Sequence, residues 1–316
     1  MEVKLSSSVR ARHRDIGEEL TAALSRRGIE AVAEPDGSIT FPDVDGDVRM
    51  RLTDDGATLE LRTPETIDED NEAGWVAHTI LAPLVEALLP ERIGDWLTDR
   101  WARRPSGSAA REGYRDPTHH RPSFGAILSA LQLQPDDVLL EIGCGGGAFL
   151  AEALRTGCRA AAIDHSPEMV ELAREVNAQA IADGRLEIVE GQAESLPFAD
   201  DTFTCAAMMQ VFFFLDAPRV LAECRRVVRP DGRIAVFTVS EAARGTPAAP
   251  EPMASRGRFY TDEELVQLAR DAGFRTASVT HPDLARHARA ARLSDYVVEL
   301  FEQGSEQGQL LLARGA

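Results

Sequence analysis

From Asp136 onward, short apolar runs alternate with stretches of helical period. VLLEIG (138–143) is an apolar run that ends in glycines, and RAAAID (159–164), LEIVEG (186–191), FTCAAMMQ (203–210) and RIAVFTV (233–239) follow it. The fourth, FTCAAMMQ, is apolar throughout, which points to a strand covered on both faces. Between the second and third, Ser166 is a helix N-cap with Pro167 in the first turn, and Met169, Leu172, Ala173 and Val176 share one face. Between the fourth and fifth, Asp216 to Val228 turns Val220, Leu221, Cys224 and Val227 inward and stops at Pro230-Asp231-Gly232. Thr261 and Glu264 form a capping box for a helix that closes at Gly273. Residues 274–280 and 308–313 supply a sixth and a seventh strand with a helical insertion between them, close enough in sequence for an antiparallel addition to the sheet. Alternation of this kind predicts an α/β layer, a mainly parallel sheet with helices on both sides.

The first third has another texture. Residues 8–28 carry helical spacing, with Ile16, Leu20 and Leu24 on one face and Gly28 as a stop. Asp36-Gly37, Asp45-Gly46 and Asp55-Gly56 then mark tight turns, because glycine accepts positive φ. Val48, Met50 and Leu52 alternate with polar residues, as do Leu59 and Leu61, which predicts half-buried antiparallel strands. Helices are expected from about residue 70 to 89 and on to 101. Residues 103–122 hold Pro, Gly, Ser and charge without a period and read as a linker. A short helix, 123–131, follows. The chain thus divides into a small acidic α+β domain (1–105), a linker or lid segment (106–122) and the α/β domain (123–316).

Charge narrows the partners. There are 52 acidic against 34 basic residues, a formal net charge of −18. Residues 1–100 carry 22 acidic and 11 basic of these. Such a surface repels phosphate backbones and anionic membranes, so neither nucleic acid nor membrane is an expected partner. Lys4 is the single lysine, which removes lysine chemistry from the body of the chain. The four cysteines, Cys144, Cys158, Cys205 and Cys224, make no C-x-x-C pair and no zinc-like spacing with histidine, so no metal site is expected. The start has no apolar core for a signal peptide, and the longest apolar run is too short to span a bilayer. A cytoplasmic protein is the expectation.

The informative stretch is Glu141-Ile142-Gly143-Cys144-Gly145-Gly146-Gly147, at a strand end that opens a helix. Glycines there let backbone approach a ligand, and the helix start favours an anionic group. Asp164 ends the next strand, where an acid can accept both hydroxyls of a ribose. These residues suit a nucleoside-bearing cofactor with an anionic tail. Gly143-x-Gly145-x-x-Ala148 also satisfies a dinucleotide fingerprint. Against it stand the acid at Glu141, better placed for a cation than for a pyrophosphate, the missing lysine and the antiparallel seventh strand.

Residues 123–315 resemble class I S-adenosylmethionine-dependent methyltransferases. The resemblance rests on VLLEIGCGGG, AIDHSPEMVELAR, VEGQAESLPFADDTF, LAECRRVVRPDGRIAVF and FYTDEELVQLARDAGF, in that order. It implies a Rossmann-like seven-stranded methyltransferase sheet. It places Glu141, Gly143, Cys144, Gly145 and Gly147 around the methionine part of S-adenosylmethionine, with S-adenosylhomocysteine as product. It places Asp164 on the ribose, His165 against adenine, Gln192 and Ala193 at the adenine edge, and Met209 and Gln210 near the sulfonium. Gln192 departs from the family's usual aspartate. Phe212, Phe213 and Phe214 stand where many relatives carry histidine, so Phe212 and Phe213 are assigned to a hydrophobic substrate pocket and an easy general base is missing. Tyr114, His119 and His120, in the segment that such enzymes fold over the cofactor, are the catalytic candidates. The implied function is methyl transfer to an O, N or C nucleophile of a small molecule, in specialised metabolism. The alternatives are the same fold reused for non-methylating chemistry or ligand binding, and, more remotely, an NAD-dependent oxidoreductase. The N-terminal unit could cap the pocket, join a homodimer or bind a partner protein.

Overall fold

The computed structural model describes residues 2–4, 30–35, 38–40, 49–52, 58–62, 98, 102–105, 108–246, 248–250, 253–304 and 307–315. It divides into two compact units, Met1–Leu97 with Pro250–Ser255, and Thr98–Ala249 with Arg256–Ala316. In the first, strands β1 (Glu2–Lys4), β2 (Val32–Ala33), β3 (Ser38–Thr40), β4 (Arg49–Leu52) and β5 (Thr58–Arg62) form one antiparallel sheet in the order β1-β5-β4-β3-β2. Three successive hairpins therefore span the positions of the three Asp-Gly turns. The helices expected over 8–28 and 70–101 lie outside the described residues.

The second unit includes α1 (Ser108–Arg115) and α2 (Arg121–Leu131), so the segment read as a linker or lid carries a helix of its own. Its helicity was hidden because α1 has one apolar stripe only two turns long, among polar and glycine residues. Then come β6 (Val138–Ile142), α3 (Ala148–Ala153), β7 (Arg159–Asp164), α4 (Pro167–Val176), α5 (Ala178–Ala182), β8 (Leu186–Glu190), β9 (Phe203–Met209), α6 (Ala217–Val227) and β10 (Val228–Val239). The chain ends with α7 (Asp262–Asp271), β11 (Thr276–Thr280), α8 (Leu284–Ala290), α9 (Asp295–Gln303) and β12 (Gly308–Arg314). Ser166, Asp216 and Thr261 cap α4, α6 and α7 through their side chains, and Thr261 with Glu264 completes the capping box. Pro230-Asp231-Gly232 lies inside β10 rather than before it, at a break in register against β9 between Val228 and Arg233.

The seven strands run in the order β11-β12-β10-β9-β6-β7-β8. All neighbouring pairs are parallel except those of β12, which is antiparallel to both β10 and β11. One face packs Leu139, Ala160 and Phe237 on Phe124 and Ile127 of α2 and Phe149 of α3. The other packs Leu140, Ile142 and Phe203 on Val220 and Leu221 of α6 and Leu265 of α7. Strand order reverses between β6 and β9, and in open α/β sheets the crevice at such a point, outside the carboxyl ends of the strands, is where ligands bind. No helix among the described residues is long and apolar enough to cross a membrane.

Candidate functional site

The glycine loop joins β6 to α3 at that crevice. Gly143, Gly145 and Gly147 all have positive φ (74°, 49° and 77°), which L side chains rarely adopt. The N–H groups of Gly143 and Cys144 both donate to the Ile163 carbonyl, at 2.8 and 3.2 Å, which ties the loop to β7. A Cβ on Gly147 would lie 2.6 Å from Asn177 Nδ2 and 2.9 Å from Ala173 Cα, so helix packing as well as φ demands glycine there. Asn177 is buried and donates to the Gly147 and Ala173 carbonyls. This clamp was missed in the sequence, where a single Asn after an apolar helix face reads as a C-cap.

Glu141 lies on the strand just before the loop and is 2% exposed. Its register neighbours are Ala162 on β7 and Ala207 on β9, so no side chain beside it can donate a hydrogen bond. Its Oε2 is buried without a partner. Burial, and then the nearby charge of Asp164, push its carboxyl well above the ordinary range. Asp164 ends β7. Its Oδ2 accepts from Gly145 N–H at 2.8 Å and its Oδ1 from Ser166 N–H at 2.9 Å. Burial raises its pKa against those two bonds. Cys144 is buried, and burial, then Glu141, hold its thiol well above the usual range, so it is an inert loop residue. The other three cysteines are buried free thiols.

The remaining expected residues ring this loop. His165 is partly exposed, with Nδ1 3.9 Å from Asp164 Oδ1. Gln192, exposed, and Ala193, half-buried, follow β8, and the Gly191 N–H just before them donates to the Asp164 carbonyl. Met209 and Gln210 are half-buried at the end of β9. Val211, not singled out in the sequence, packs directly on Gly143: a Cβ there would meet Val211 Cγ1 at 2.7 Å. Tyr114, at the end of α1, lays its ring on Gly145, where a Cβ would meet two ring carbons at 3.1 Å. Burial, and then Asp164, keep its phenol protonated. Ion pairs from Arg111 to Glu171 and Glu175 fasten α1 to α4, and Ser166 Oγ donates to the Pro105 carbonyl at 2.7 Å. His119 faces solvent, whereas His120 is half-buried beside Gln210 with its Nδ1 enclosed.

Phe212 corrects one expectation. It has no exposed surface and packs on Tyr260 in the core, with ring centroids 5.7 Å apart, so it does not line a pocket. Three consecutive aromatics in a single turn cannot all face one way. Phe213 stacks on Phe259 at 5.9 Å and meets Phe214 edge-on at 4.5 Å, and Phe214 and Phe259 keep partial exposure. No cluster of metal-ligating side chains occurs among the described residues.

These residues fit S-adenosylmethionine. The loop is shaped so that side chains are excluded from it, Asp164 suits ribose hydroxyls, and the unpartnered acid at Glu141 suits the cofactor's ammonium group. The same buried acid would repel the pyrophosphate of a dinucleotide.

Comparison with known proteins agrees. Residues 140–236 match the family described as "Methyltransferase domain". The chain is 33% identical over 189 residues to an uncharacterised protein of transposon TN4556 from Streptomyces fradiae, covering 55% of this chain and 53% of that protein. It is 35% identical over 106 residues to the mitochondrial ubiquinone biosynthesis O-methyltransferase of Schizosaccharomyces pombe, covering 32% of this chain and 38% of that one. The matched stretches thus span about half or less of these relatives' own lengths. Among solved structures, a geranyl diphosphate methyltransferase in complex with S-adenosylmethionine superposes with a TM-score of 0.50 at 19% identity, over 67% of this chain and 92% of that one. Fold, glycine cradle and family match coincide on the same strands: residues 140–236 carry a methyltransferase domain, and the sheet has the fold of a structure that binds S-adenosylmethionine.

Proposed function

We propose that this protein transfers a methyl group from S-adenosylmethionine to a small-molecule acceptor, as a cytoplasmic enzyme of specialised biosynthesis. The observation that carries the reading is the buried, unpartnered Glu141 carboxylate beside a loop of three positive-φ glycines. The cofactor, when bound, supplies a methyl group already activated on a sulfonium. The chain's work is then to bind, align and exclude water. Glu141 takes the ammonium end, Asp164 the ribose, and His165 with Gln192 and Ala193 the adenine. Tyr114 closes over Gly145 from above and keeps water out. Alignment of two bound reactants can contribute up to ~7–11 kcal/mol to lowering the barrier. Phe214 and Phe259, half-exposed and backed by the buried Phe213, offer the acceptor an aromatic shelf one turn beyond Gln210, which favours a planar or apolar body. A sequence relative is named for O-methylation in ubiquinone biosynthesis, and a structural neighbour for methylation of geranyl diphosphate.

Isothermal titration of the purified protein with S-adenosylmethionine, S-adenosylhomocysteine and NAD tests the reading. Binding of the first two and not of NAD is expected. NAD binding alone would overturn the cofactor. An acceptor screen by mass then separates methyl transfer, which adds one methylene and leaves S-adenosylhomocysteine, from a fold reused for other chemistry.

A further inference from the structure

Two buried polar atoms at the start of α2 have no partner, and the cofactor cradle uses neither. They are Nδ1 of His120 and Oγ of Ser123. Ser123 is 1% exposed. His120 occupies the N-cap of α2 and Ser123 its first turn, at the helix end whose free backbone N–H groups favour oxygen. Leaving enclosed polar atoms unpaired is costly, and native proteins keep them so where something else completes the bond.

The end of β9 lies beside His120. Gln210 has φ 54°, a left-handed backbone rare outside glycine and concentrated at functional sites. Its side chain lies beside the His120 ring, whose Nδ1 is enclosed without a partner. Val211, next in sequence, touches Gly143, and Tyr114, six residues before His120, touches Gly145. His120 is therefore bracketed by residues that contact the cradle. Among the titratable candidates, His119 is solvent-exposed and Tyr114 is held protonated. Burial, and then the neighbouring His119, favour the neutral imidazole of His120 over the opposing influence of Gln210 and Asp116. Asp116 itself is engaged by the amide and hydroxyl of Thr118. An ammonium nucleophile would find no anion at this point, whereas a hydroxyl arrives neutral and finds one acceptor nitrogen and one serine oxygen.

We propose that His120 takes the proton from a hydroxyl nucleophile of the acceptor, a phenol or enol, that Ser123 Oγ holds the same oxygen, and that Gln210 positions the ring with Nδ1 free. This rests on the methyltransferase reading above. The acceptor O–H bond breaks and its proton goes to Nδ1. The oxygen electron pair forms the new O–C bond, and the pair of the breaking C–S bond stays on sulfur. The positive charge moves from sulfonium to imidazolium, so charge and electrons balance.

The test uses full-length protein saturated with S-adenosylhomocysteine and 4-nitrophenol as probe, read by its absorbance. Wild type should bind the probe, H120A at least tenfold more weakly, and S123A at an intermediate level. ¹⁵N NMR of the wild-type His120 ring, which needs no variant, should show the proton on Nε2 and Nδ1 bare, with Q210L losing that preference. Equal probe binding by wild type and H120A, no binding by wild type, or a proton on Nδ1 overturns the proposal. Failure to bind S-adenosylhomocysteine in the first step would instead overturn the methyltransferase reading.

Discussion

Replacing Glu141 with glutamine should make the cofactor-free protein more stable at neutral pH while weakening its grip on the cofactor. In the unfolded chain this carboxyl titrates near 4.3. In the folded chain burial, and then Asp164, raise it well above that. Between the two values the folded state holds a proton that the unfolded state has lost. Stability therefore falls as pH rises, by about 1.4 kcal/mol per pH unit, until Glu141 itself ionises. Glutamine has no such proton, so E141Q lacks this slope, and the contribution of Asp164 is common to both proteins. Urea unfolding of both, without cofactor, at pH 5, 6 and 7 reads the effect. The variant's advantage should be small at pH 5 and grow with pH. S-adenosylhomocysteine titrated in two buffers of different ionisation enthalpy should reveal a proton released by wild type and none by E141Q, because a bound ammonium restores the carboxylate charge. Parallel pH profiles for the two proteins would refute the reasoning.

Other substitutions divide the site from the frame. D164N must face one of two backbone N–H donors with its own NH₂, so it loses at least one charge-assisted bond of about 1.5–3 kcal/mol. Urea unfolding should show that loss as lower stability, and calorimetry should show weaker S-adenosylhomocysteine binding as the ribose loses a carboxylate acceptor. G147A and G184A share positive φ, but only the first meets backbone, so G184A should cost about 1 kcal/mol in urea unfolding and G147A clearly more. D137A should cost about 3 kcal/mol or more, since it strands Arg233 and releases Thr204, and a midpoint shift in urea checks this.

The central strands β6, β7, β9 and β10 were legible because each carries an apolar run, and the helices because their punctuation is obligatory: Ser166-Pro167, Asp216, and Thr261 with Glu264 are caps whose bonds form as their chemistry requires. The cradle was legible for the same reason, since Gly143, Gly145 and Gly147 are needed by backbone angle. What resisted reading depends on contacts distant in sequence. α1 is fastened by ion pairs from Arg111 to α4, some 60 residues on, and nothing local announces it. Phe212, Phe213 and Phe214 look alike in sequence, yet the single turn they share buries Phe212 against Tyr260 and Phe213 against Phe259 and leaves only Phe214 half-exposed. Ser123 gave no signal at all, because a serine in a first helical turn is ordinary until its oxygen is found enclosed and unbonded.

The two edges of the sheet are built on opposite principles. At the amino end of β6 and β10, Asp137 accepts from Arg233 at 2.7 and 3.2 Å, from Thr204 at 2.5 Å and from the Gln134 N–H at 2.8 Å, while Arg233 Nε donates to the last carbonyl of α2. Burial would raise this carboxyl, but the Arg233 and Thr204 bonds outweigh it and hold it below the usual range. Every oxygen there is used, and the network ties α2 to the sheet. At the other end of the same helix and strands, Ser123, His120 and Glu141 each keep an enclosed atom without a partner, as do Thr238 near the end of β10 and Gln309 beside it on β12. A saturated network resists change, and an unsaturated one gains by taking a ligand. The rigid edge is what lets the sheet tolerate the cost of the open one. Mutations at Asp137 should accordingly lower stability with binding per folded molecule intact, whereas those at Glu141 trade binding for stability, and unfolding and calorimetry on the same samples tell the two apart.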